Sequence, residues 1–73
     1  MMDLKNVINE VLERNGIDTI NTLDSSIHLK NDLGMDSLML AELTVEIEDH
    51  IGIDIFEDGI VNTIGDILSK INE

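Results

Sequence analysis

Seven consecutive residues, Asp32-Leu33-Gly34-Met35-Asp36-Ser37-Leu38, place a hydroxyl after a glycine-containing loop and at the first turn of a patterned helix. A helix start leaves four amides without intrahelical acceptors and carries the positive end of the macrodipole. An anion esterified to Ser37, such as a phosphodiester, is therefore stabilised there without a dedicated basic residue. The same residue types also serve a plainer purpose. Asp36 or Ser37 as an ordinary N-cap is the commoner use of such a spacing, and spacing alone favours it. A hydrolase nucleophile fits poorly: Gly34 to Leu38 is not G-x-S-x-G, and only His28 and His50 could act as an imidazole base.

Other chemistry is weaker still. Asp54, Asp58 and Gly59 fall at positions one, five and six of a calcium loop, but position three is Phe56 and position twelve is Gly65 instead of a bidentate Glu. His28 has no second ligand at helical spacing, so no metal site is expected. His50 lies near a helix end, where a protonated imidazole favours the negative pole of the dipole. Met35 and Met39 flank the serine and read as surface or core filler. With no Cys there is no disulfide, thiolate nucleophile or cysteine-ligated metal.

The elements that must position Ser37 follow from apolar periodicity. Asp3 caps a first helix whose buried stripe is Leu4, Val7, Ile8, Val11 and Leu12, with Lys5, Asn6, Asn9, Glu10, Glu13 and Arg14 on the wet side. Gly16 sits where a left-handed cap ends it. From there to Asp36 single apolar residues alternate with Asp, Asn, Ser and Thr. Ile17, Ile20, Leu23, Ile27, Leu29 and Leu33 are spaced regularly enough that this long loop is expected to be ordered and pinned to the core.

A second helix runs from Ser37 to Ile51, with Leu40, Leu43, Ile47 and Ile51 inward, and Gly52 ends it. A 100° step per residue then puts Leu38, Glu42, Val45 and Asp49 on the opposite, exposed side. Ile53-Asp54-Ile55 is a short extended or turn segment, and Glu57 to Val61 has room for one or two helical turns. Thr63-Ile64-Gly65-Asp66 has the form of a capping box opening a last helix with Ile64, Ile67, Leu68 and Ile71 as its stripe. The predicted fold is all-α: a small bundle of three main helices plus one short helix, with a long loop between the first two.

At 73 residues the chain makes a single domain, 1–73, held by an aliphatic core of 12 Ile, 9 Leu and 4 Val against one Phe. Sixteen acids against four bases give a net charge of -12, which disfavours nucleic acid and anionic lipid and favours basic partners. The start Met1-Met2-Asp3-Leu4 lacks a signal-peptide pattern and no apolar run approaches about 20 residues, so a cytoplasmic protein without a membrane span is expected.

The segment around Ser37 resembles the D-L-G-x-D-S-L signature of acyl carrier proteins. Glu42-Leu43, Glu46-Ile47-Glu48-Asp49, Ile53-Asp54-Ile55 and Thr63-Ile64-Gly65-Asp66 fall at that family's offsets from the serine, so the resemblance covers roughly residues 4 to 71. It implies that Ser37 carries a covalent 4′-phosphopantetheine derived from coenzyme A, that Asp36 flanks it, and that Glu42, Glu48 and Asp49 belong to an acidic recognition surface. Leu38 and Val45 would add apolar contact to that surface. The resemblance implies no catalytic residue. Its implied partners are a phosphopantetheinyl transferase and acyl-loading, ketosynthase or acyltransferase enzymes with basic docking patches, met by a monomer. Asp49-His50-Ile51-Gly52 and Phe56 stand where carriers of primary fatty-acid synthesis commonly have an acidic run closing with Phe and, later, a Pro. Fatty-acid, polyketide or related biosynthesis therefore remain open. A peptidyl or aminoacyl carrier, or an unmodified acidic binding module, are the rival readings.

Overall fold

The computed structural model describes residues 3–52, 54–55 and 61–71. Three helices occupy them: α1 (Leu4–Arg14), α2 (Ser37–Ile51) and α3 (Ile64–Ile71). The described residues contain no strand, and an isolated antiparallel bridge joins His28 to Thr63. Most of the short helix expected at Glu57 to Val61 lies outside the described residues, as do residues 56–60 of the segment weighed as a calcium loop. Val61 itself is buried.

Among the described residues, both ends of α1 and α2 and the start of α3 are closed by the residue types the sequence offers there. The Asp3 carboxylate accepts the Asn6 amide at 3.3 Å and starts α1. At the other end Asn15 is the C-cap, Gly16 takes φ 73°, and the amides of Gly16 and Ile17 donate to Glu13 and Leu12 at 3.1 and 2.9 Å. This paired closure satisfies carbonyls the helix would leave open. Gly52, at φ 71°, ends α2 in the same left-handed conformation. The capping box at α3 forms as expected: Asp66 N–H donates to Thr63 Oγ1 and Thr63 N–H donates to Asp66 Oδ2, both at 3.1 Å. A further amide, that of Asn62, reaches Asp66 Oδ2 at 2.9 Å. These amide bonds, those from Asn62 and Thr63 foremost, hold the Asp66 carboxyl below its ordinary pKa of 3.8.

The core draws on every described element. The expected α1 stripe of Leu4, Val7, Ile8, Val11 and Leu12 is buried, and it meets Met39, Leu40, Leu43 and Ile47 of α2. Met35 and Met39 are both core residues, and Ile51 is partly buried. The backbones of α1 and α2 approach closely, whereas α3 is tied in through the long loop. Leu29 N–H donates to Asn62 O, Ile64 N–H to Ile27 O and Gly65 N–H to Ser25 O, at 2.8, 3.0 and 2.9 Å. A Cβ at Gly65 would stand 2.9 Å from the Ser25 carbonyl oxygen, so the close crossing of α3 and the loop requires a residue without one.

One residue assigned to the wet face of α1 is misplaced by pattern reading. Asn9 is half-buried, and its side-chain amide pairs with the backbone of Ile20: Ile20 N–H donates to Oδ1 at 2.8 Å and Nδ2 donates to Ile20 O at 3.1 Å. The loop is thus pinned by a polar clamp as well as by Ile17, Ile20, Leu23 and Ile27, which rest on the core.

Candidate functional site

The approach to Ser37 is a tight turn built from the residues that precede it. Asp32 Oδ2 accepts the His28 amide at 2.7 Å, while the amides of Asp32 and Leu33 return to His28 O at 2.9 and 3.2 Å. Gly34 N–H donates to Lys30 O and Met35 N–H to Leu29 O. The reversal needs φ 74° at Gly34, a conformation that costs roughly 1–2 kcal/mol for an L residue. Leu29, Leu33 and Met35 anchor the turn by burial. Asp32, Leu33, Gly34 and Met35 therefore aim the chain toward Ser37.

Asp36 then adopts extended backbone, and its carboxylate accepts the Met39 amide at 2.9 Å while its carbonyl accepts Leu40 N–H at 3.0 Å. That resolves the ambiguity of the sequence: Asp36 is the N-cap, and Ser37 is the first helical residue. Ser37 is exposed, and among the described residues its hydroxyl has no hydrogen-bond partner. Its own amide and that of Leu38 precede the first intrahelical bond, so both belong to the open, positive end of the helix. Ala41, one turn along on the same side, is exposed and carries only a methyl group. A hydroxyl so placed can accept a bulky phosphodiester without displacing any bond of the fold. The residues present fit the covalent group the resemblance implies.

The rest of α2 divides into two sides. Met39, Leu40, Leu43 and Ile47 face the core. Leu38 and Val45 are large apolar residues left 68% and 56% exposed, and Glu48 and Asp49 are exposed beside them. His50, also exposed, occupies the last turn as expected. Glu42 departs from the pattern. It is half-buried and turned toward α1, where Arg14 Nη1 lies 3.8 Å from Oε1 and Asn15 Nδ2 donates to Oε2 at 3.1 Å. Arg14 Nη2 also pairs with Glu46 Oε1 at 3.3 Å. Sequence reasoning placed Arg14 merely on a wet face; periodicity within one helix carries no information about which helix stands opposite.

A family model described as a phosphopantetheine attachment site matches residues 3–71. No solved structure matches the chain at a significant level.

Proposed function

Because the chain belongs to the phosphopantetheine attachment family, whose members are non-catalytic carriers bearing covalent 4′-phosphopantetheine, we propose that Ser37 is its attachment residue and that it acts as an acyl carrier protein. Carriers of this family interact with phosphopantetheinyl transferases and with biosynthetic enzymes. The observation that carries the assignment is the division of labour at the start of α2: Asp36 takes the capping bond, leaving the Ser37 hydroxyl exposed at the positive helix end. When attached, the prosthetic group supplies the thiol on which an acyl chain is held as a thioester.

The protein's own residues do the rest. Asp36 and Gly34 fix where the hydroxyl is presented, and the leading amides of α2 offset the phosphodiester charge on a strongly acidic chain. Leu38, Val45, Glu48 and Asp49 form the face a transferase or acyl-loading enzyme meets, with Glu42 at its α1 border. Acids give steering and register, and aliphatic groups give desolvated contact. The Asp36-Ser37 pair favours an acyl over a peptidyl cargo, in fatty-acid, polyketide or related biosynthesis. We take the carrier to be a cytoplasmic monomer; among the described residues no helix is long and apolar enough to cross a membrane.

The function is tested by acyl loading. After treatment with coenzyme A, a transferase and an acyl-loading enzyme, the wild-type protein should gain an acyl group that hydroxylamine removes. Ser37→Ala should fold normally and gain none; a hydroxylamine-labile acyl group on the variant defeats the assignment.

A further inference from the structure

α2 carries four acids, Glu42, Glu46, Glu48 and Asp49, and the fold does not leave them equivalent. The 100° step sets Glu42 and Glu46 on the side of the Leu38–Val45 line that borders α1, and Glu48 on the side that bears Ser37. Asp49 lies along the line itself. Arg14, in the last turn of α1, reaches both members of the first group, at 3.8 Å from Glu42 and 3.3 Å from Glu46. Asn15 adds a hydrogen bond to the remaining Glu42 oxygen. Glu48 and Asp49 are exposed and have no such partner among the described residues.

We propose that Arg14 determines which acids of α2 a cationic partner uses: by holding Glu42 and Glu46 it confines the partner's basic residues to Glu48 and Asp49. This rests on the reading of α2 as the face that meets the transferase. An incoming Arg or Lys at Glu42 must displace a cation already in place and gains little, whereas one at Glu48 or Asp49 displaces only water and dispersed counterions. The occupant is fixed by charge complementarity, since a chain of net charge -12 with two exposed aliphatic residues beside its free acids fits a protein surface of basic residues around a small apolar depression. Arg14 is nearly half exposed, so its hold is that of a surface ion pair and its effect is a matter of a few-fold. Of the two acids left open, Glu48 lies on the side of α2 that bears Ser37 and Asp49 on the Leu38–Val45 line.

The experiment measures association of the full chain with a phosphopantetheinyl transferase at low salt, by stopped flow. Arg14→Gln should raise the association rate about two- to fivefold, and more than Lys5→Gln, which changes the net charge equally without touching α2. Glu48→Gln and Asp49→Gln should slow wild-type association at least twice as much as Glu42→Gln does. In the Arg14→Gln background Glu42→Gln should become as harmful as Glu48→Gln, a coupling that additive charge effects do not produce. Equal gains from Arg14→Gln and Lys5→Gln, or equal losses from Glu42→Gln and Glu48→Gln in the wild type, overturn the proposal. In those cases modification at Ser37 persists, so the carrier reading stands; a wild-type chain that the transferase neither binds nor modifies overturns both.

Discussion

Asp36 and Ser37 are adjacent, both are good capping residues, and only one of them can cap. The carboxylate takes the role, which leaves the Ser37 hydroxyl exposed and out of the capping bond. Sequence spacing alone could not divide the two tasks, because either side chain reaches the third amide of a helix; the backbone geometry gives the cap to Asp36. Replacing Asp36 by Ala should cost about 1 kcal/mol through the lost cap, whereas Ser37→Ala should leave the melting temperature within error. The other informative carboxylate is Asp66, whose pKa is depressed by the Asn62 and Thr63 amides. A depressed folded-state value means that its contribution to stability is complete above its ordinary value of 3.8 and is lost as pH falls through the lower folded one. Melting curves of wild type and Asp66→Asn should thus differ most above pH 3.8 and converge in stronger acid; a gap that stays constant down to the acid unfolding limb would assign the effect to packing.

Helix α2 was legible to the residue and α1 from its Asp3 cap to its Gly16 stop, since an amphipathic stripe and a terminal glycine are local signals. The loop between them was legible only in part. Its apolar anchors could be counted, but the Asn9 clamp on Ile20 joins positions 11 apart and gives no periodic trace. The attachment of α3 was equally hidden, because the bonds from Leu29 to Asn62 and from Gly65 to Ser25 depend on how the loop crosses it. Two predictions belong to this scale. Asn9→Ala should lower stability by about 1–3 kcal/mol, the cost of leaving the Ile20 backbone groups poorly satisfied, with α1 still helical by circular dichroism. Gly65→Ala should lower it by about 1–3 kcal/mol through the clash with the Ser25 carbonyl; unchanged urea midpoints for either variant would remove that contact from the account.

Across the whole molecule the charge is lopsided, and the size makes this consequential. The fold extends 29 × 22 × 21 Å, against a Debye length of about 30 Å at 0.01 M salt and about 10 Å at 0.1 M. At low salt nearly every acid feels every other, so stability should be sensitive to high pH there. Raising salt from 0.01 to 0.2 M should lift the melting temperature by at least about 4 °C, the shift that about 1 kcal/mol produces in a domain of this size. No rise would show the acids to be better neutralised than their numbers indicate. Arg14 of α1 is one place where neutralisation does occur, since it pairs with Glu42 and Glu46 of the helix that begins at Ser37. The central claim, that this acidic helical domain exists to present Ser37 for modification, meets its most direct test in an intact-mass measurement of the purified chain after incubation with coenzyme A and a phosphopantetheinyl transferase. The predicted result is a gain of one phosphopantetheine, mapped by fragmentation to Ser37 and absent from Ser37→Ala; an unchanged mass in the wild type, or the same gain in the variant, would contradict it.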